Sequence, residues 1–191
     1  AKTQCSCGLA GICRADYLQA LLLTGARPGE LLALRWDDVN WQWRSLTLRD
    51  KDESKGGREG FRVVPLTPYV SQLLAGLPRR SEWIFARTRG EGPIAFPYHE
   101  TASVGAITGV HVTLHGLRRS FGSLAEWQEL PAGVVAQIMG HKPSATAEKH
   151  YRVRPLDLLR VHHEKLEAWI LEQAGVHFDA QATPGKLRAV T

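Results

Sequence analysis

Apolar positions along this chain recur first at helical spacing, then alternate, then return to helical spacing towards the end. Over residues 14–23, Tyr17, Leu18, Leu21 and Leu22 predict a helix ending near Thr24-Gly25, whereas residues 1–13 show little periodicity. Pro28 suits the first turn of a second helix over 28–36, with Glu30 near its positive end and Arg27 in the turn before it. Residues 41–50 alternate through Trp41, Trp43, Leu46 and Leu48, with a slip near Arg44-Ser45, and predict a strand. Residues 61–65 predict its partner, across a charged, glycine-rich hairpin over 51–60. Thr67 is the expected N-cap of a helix from Pro68 to about Leu77.

Residues 87–109 hold six glycines and prolines and read mostly as loop or broken helix. Thr113 suits the cap of a helix carrying His115, Arg118, Phe121 and Leu124. A further helix over 132–139 stops at Gly140, and Ser144 suits the cap of a short one that delivers Tyr151. Pro155 opens a last helix striped by Leu156, Leu159, Leu166 and Ile170, and residues 174–191 read as a tail. The fold class expected is mainly α with a small antiparallel β-sheet. The divisions are a lead-in over 1–13, one domain over 14–173 and the tail.

Composition changes this picture little. The chain has 191 residues, 23% charged and 43% hydrophobic, enough for one domain with a core. A net charge of +5 favours a polyanionic partner, though only weakly. No apolar run approaches the roughly 18 residues of a membrane span. No signal-peptide layout opens the chain, so a cytoplasmic location is expected. Cys5, Cys7 and Cys13 lack a nearby fourth ligand and read as free thiols rather than as a zinc site. No P-loop, dinucleotide fingerprint or carboxylate cluster is present, and His162-His163 on the last helix are expected to face solvent.

The candidate chemistry is cationic. Arg27 and Glu30 lie in Thr24-Gly25-Ala26-Arg27-Pro28-Gly29-Glu30. His115 and Arg118 lie three apart on one helix face, in His115-Gly116-Leu117-Arg118-Arg119. His141 follows Met139-Gly140, 23 residues after Arg118, and Tyr151 lies 10 residues further, in Ala147-Glu148-Lys149-His150-Tyr151. Arginine forks hold phosphate oxygens, histidines manage protons, and a phenol can attack phosphorus. A free phenol titrates near pKa ~10, so it needs a positive field such as these groups supply. The arginines are expected to face the substrate, not the core. Each motif alone has a bland reading: a turn arginine, a solvated His–Arg pair, a helix-end histidine, an amphipathic tyrosine.

Taken in order, the motifs resemble the catalytic domain of the tyrosine recombinases, the phage integrase family, across roughly residues 16–173. The resemblance implies Tyr151 as nucleophile, Arg27, Arg118, His115 and His141 around the scissile phosphate, and Glu30 supporting the site from behind. It also implies a lysine on the hairpin that protonates the leaving 5′ oxygen. Strand register points to Lys51, and the local string Ser54-Lys55-Gly56-Gly57-Arg58 points to Lys55.

The implied activity is site-specific DNA recombination and integration through a covalent 3′-phosphotyrosyl intermediate, in a phage or another mobile element. No metal, ATP or other cofactor is implied. The implied partners are double-stranded DNA and further copies of the chain, a tetramer on DNA, and not a membrane. The implied home is the bacterial cytoplasm, on the nucleoid when DNA is bound. Only 26 residues precede Arg27, so the DNA-clamp domain usual at the N-terminus of the family is expected to be absent. Type IB topoisomerase-like relaxation, or a truncated DNA-binding relic without recombination activity, are the alternatives. Covalent adduct formation, then relaxation against strand exchange, separates them.

Overall fold

The computed structural model describes residues 8–49, 60–141 and 153–180, with side chains from residue 13 onward. Tyr151, Lys51 and Lys55 lie outside the described residues, as do Ser144, Cys5 and Cys7. The described chain is mainly helical, with one three-stranded antiparallel sheet.

Helix α1 spans Gly8–Thr24 and begins earlier than periodicity alone suggested. Cys13, placed by sequence in the lead-in, is a buried residue of α1, and burial pushes its thiol up to about 11. Helix α2 spans only Pro28–Leu32, and a short 3-10 turn follows at Trp36–Asp38. Of the expected strand over 41–50 only Ser45–Arg49 is a strand; Trp41 and Trp43 lie in the turn before it. Strand β1 is Val39–Asn40 and β2 is Ser45–Arg49, joined through a turn in which Arg44 takes φ 47°. The slip in alternation at Arg44-Ser45 is therefore a reversal of the chain. Strand β3, Phe61–Pro65, pairs with β2 in register Leu48↔Arg62 and Leu46↔Val64.

Helix α3 spans Pro68–Ala75. Thr67 does not cap it with its own side chain. Glu167 does so from the other end of the sequence, accepting from the Tyr69 amide at 2.8 Å, the Val70 amide at 3.3 Å and the Thr67 hydroxyl. Residues 87–109 contain a regular helix, α4 (Tyr98–Thr108), where loop or broken helix was expected. Its side of the sequence offers little apolar periodicity, which is why glycine and proline counting misread it. Helix α5 spans Leu114–Trp127, and the Thr113 hydroxyl caps it by accepting from the Gly116 amide at 2.9 Å. Helix α6 is Ala132–Met139 and α7 is Leu156–Gln173.

The core gathers Tyr17 and Leu21 of α1, Leu46 and Leu48 of β2, Phe121 of α5, Ile138 of α6 and Leu166 of α7. On α7, Leu159, Leu166 and Ile170 are buried within this chain. His163 joins them, contrary to the expectation that it faces solvent. Its Nε2 lies 2.7 Å from the Leu23 carbonyl, and its ring meets Phe121 edge-on at 5.5 Å. Past α7, Phe178 packs edge-on against Tyr69 at 5.2 Å, so the first part of the expected tail is docked.

Candidate functional site

The site is built on the C-terminal end of α6. The last carbonyls of a helix have no partner within the helix and carry the negative end of its dipole. Here three consecutive ones accept from three arginines of three different elements. Arg62 of β3 donates its Nε–H to the Ile138 carbonyl at 3.1 Å, and Arg118 of α5 donates to the Met139 carbonyl at 2.8 Å. Arg27, in the turn before α2, donates to the Gly140 carbonyl at 3.1 Å. Residues far apart in sequence are thus drawn to one helix end.

Gly140 makes that end possible. It adopts φ 72°, the left-handed conformation that suits glycine. Its amide returns to the Gln137 carbonyl, and the His141 amide returns to the Ala136 carbonyl at 2.8 Å, a Schellman closure. A Cβ at position 140 would lie 2.7 Å from an Arg62 nitrogen. The closure leaves His141 exposed immediately beyond the arginines. Partial burial, then the charges of Arg118, Arg27 and Arg62, hold its imidazole below the usual histidine range.

The turn carrying Arg27 is equally constrained. Gly25, at φ 60°, packs closely against the Phe121 ring, where a Cβ would come within 2.5 Å. Its carbonyl accepts a short hydrogen bond from Arg118. The Tyr17 hydroxyl donates to the Pro28 carbonyl at 2.8 Å and fixes the far side of the turn from within the core. The first arginine therefore sits on a turn that the second arginine helps to hold.

Glu30 is buried behind Arg27. Its carboxylate accepts from the Arg27 amide at 2.9 Å and the Arg27 guanidinium at 2.5 Å. Arg62 adds a two-pronged pair at 2.9 and 2.6 Å. Burial alone would raise the Glu30 pKa; the hydrogen bonds and charge of Arg62, then the hydrogen bonds from Arg27, outweigh it and lower it.

Among the residues expected at the site, Arg27, Glu30, Arg118 and His141 are brought together around this helix end. His115 lies one turn before Arg118 on α5 and is exposed. Arg118 corrects one expectation: it does not simply face outward. It is 8% exposed and is spent partly on backbone carbonyls of its own chain. The roles of Tyr151, Lys51 and Lys55 concern residues outside the described set.

Arg62 was missed. The signal was present in Phe61-Arg62-Val63-Val64, where Phe61 and Val63 point outward, so Arg62 shares the inward face with Val64. An arginine at an inward strand position needs a buried carboxylate, and Glu30 is one. Gln137 was missed too. Its side-chain amide donates to the Arg154 carbonyl at 2.9 Å and accepts from the Arg154 amide at 3.0 Å. His141 and Arg154 are therefore both hydrogen-bonded to α6. No cluster that could hold a metal occurs among the described residues, and no described helix is long and apolar enough to cross a membrane.

Residues 6–155 match the family described as "Phage integrase family". Prophage integrase IntF of Escherichia coli K12 is 54% identical over 169 residues, 84% of this chain and 35% of IntF. Tyrosine recombinase XerA of Pyrococcus furiosus is 28% identical over 72% of this chain and 50% of XerA. The chain thus spans between about a third and a half of the relatives it matches. Among solved structures, the integrase from mycobacterium phage Brujita superposes with TM-score 0.62 at 19% identity, covering 94% of this chain and 54% of that one. XerH recombinase, in a post-cleavage complex with its difH substrate, superposes with TM-score 0.56 at 18% identity, covering 88% and 47%. The chain belongs to the phage integrase family.

Proposed function

We propose that this phage integrase family chain is the catalytic domain of a site-specific DNA recombinase, cleaving and rejoining DNA through Tyr151. The observation that carries the reading is the convergence of Arg27 and Arg118 on one helix end beside His141. That assembly is held by the chain's own backbone carbonyls and by Glu30. Preorganised positive groups stabilise a pentavalent phosphorus better than groups that must reorganise.

In the proposed reaction the Tyr151 hydroxyl gives its proton to a site histidine and its oxygen attacks the scissile phosphorus. The bond to the 5′ oxygen breaks, a 3′-phosphotyrosyl ester forms, and a 5′-hydroxyl leaves with a proton from Lys51 or Lys55. A 5′-hydroxyl from a partner strand then attacks the ester and releases the tyrosine. Arg27 and Arg118 bind the non-bridging oxygens, and His115 and His141 contribute hydrogen bonds and proton transfer around them. Glu30 holds Arg27 from behind. The phosphotyrosine keeps the energy of the broken ester, so no ATP is consumed.

The proposed substrate is double-stranded DNA, on which several copies of the chain assemble as a tetramer; XerH, which shares the fold, is bound to its difH substrate. The reaction takes place in the cytoplasm. The test is selection of denaturant-resistant protein–DNA adducts from nicked duplexes of degenerate sequence, with and without chelator. Adducts of a recurring sequence, unaffected by chelator, are expected. No adduct from the library, or an adduct lost on chelation, would overturn the reading.

A further inference from the structure

The Glu30 carboxylate is shared by two arginines with very different exposure. Both of its oxygens accept from Arg27 and both accept from Arg62. The Arg62 side chain is 14% exposed, that of Arg27 33%, and that of Glu30 1%. Arg62 thus lies on the inner side of the carboxylate and Arg27 on the outer side. Paired with Glu30 alone, Arg27 would lose most of its field to its own partner. The geometry points to Arg62 as a positioning residue: it cancels the charge of Glu30 so that the carboxylate can hold Arg27 without neutralising it.

Two further contacts fit this role. Arg62 also donates to the Ile138 carbonyl, so it fixes the helix end that receives Arg27 and Arg118. The three guanidiniums against one carboxylate leave net positive charge at the place where His141 emerges. Among the described residues, the charged groups that act on the His141 ring are Arg118, Arg27 and Arg62. The inference rests on the reading of Arg27 and Arg118 as phosphate ligands, but its first test does not require DNA.

That test is an NMR titration of the His141 ring in the full chain. Wild type should titrate below an ordinary histidine. Arg62→Met should raise the His141 pKa, Arg62→Lys should stay near wild type, and Arg62→Met combined with Glu30→Gln should return it towards wild type. The paired change removes the buried carboxylate together with its partner, so it keeps the test open if Arg62→Met alone does not fold.

The second arm is cleavage of a selected duplex. Arg62→Met should lower the rate on the order of tenfold or more, as a displaced phosphate ligand does, and the double variant should recover part of it. A His141 pKa unmoved in folded Arg62→Met, or a double variant as impaired as the single one, would overturn the inference. Failure of every protein to form adducts would instead count against the proposed function and leave the titration standing.

Discussion

Arg118 of α5 and Met139 at the end of α6 are joined by a guanidinium–carbonyl hydrogen bond of 2.8 Å, while the same guanidinium holds the Gly25 carbonyl. A side chain proposed to bind substrate is therefore also a brace between two helices and a turn. Arg118→Ala would leave both carbonyls without that donor, at a cost of about 1–3 kcal/mol. It should lower the melting temperature as well as abolish adduct formation. Arg27→Ala, at a more exposed position, should lose adduct formation with a smaller stability loss. Thermal denaturation of both variants checks this; an Arg118→Ala variant as stable as wild type would show that the brace is dispensable.

The Gln137–Arg154 amide pair ties the chain three residues after Tyr151 to α6. Gln137→Ala removes both hydrogen bonds. Cleavage should slow roughly tenfold, because small misplacements of a nucleophile are costly, while non-covalent DNA binding stays within a few-fold. Gln137→Glu cannot donate to the Arg154 carbonyl and should be impaired as well. Single-turnover cleavage against a binding titration separates the two effects; an unchanged cleavage rate would remove Gln137 from the account.

His163 makes the domain sensitive to acid. Burial, partly offset by its bond to the Leu23 carbonyl, pushes its pKa down to about 4. Above pH ~6.5 the ring is neutral whether the chain is folded or not. As pH falls from there towards 4, the unfolded chain takes up a proton that the folded one refuses, so stability drops, by roughly 3 kcal/mol once pH is below both values. His163→Phe should flatten that part of the stability curve. Urea midpoints measured from pH 7 to 4 provide the test, and identical pH dependence in both proteins would contradict it.

Glu167 is a fold-level control. As the cap of α3 supplied by α7, it should cost about 1–2 kcal/mol when changed to Leu. The urea midpoint should fall with its slope unchanged, and adduct yield in the cold should hold. Loss of activity without loss of stability would give Glu167 a role beyond capping.

Much of this arrangement was legible in the sequence. The glycine stop of α6, the Thr113 cap and the β3 strand follow from local chemistry, whereas Arg27, Arg118 and His141 stood out through the resemblance of their motifs to the family's. The parts that were not legible are those set by partners distant in the chain. Thr67 looked like its own cap because nothing local shows that a glutamate 100 residues away reaches it. His163 looked solvent-facing because its acceptor is the end of α1. Arg118 looked outward for the same reason, and Arg62 was passed over because its meaning depends on Glu30 of α2, 32 residues earlier. The turn at Arg44 was read as a slip because a strand of two residues is too short to show alternation.

The central claim is that Tyr151 carries the DNA. It is tested most directly by digesting a purified adduct with nuclease and protease and finding the peptide that bears the nucleotide by mass spectrometry. The account predicts a nucleotide esterified to Tyr151, and no adduct from Tyr151→Phe under the same conditions. A nucleotide on any other residue, or an adduct that survives in Tyr151→Phe, would contradict it.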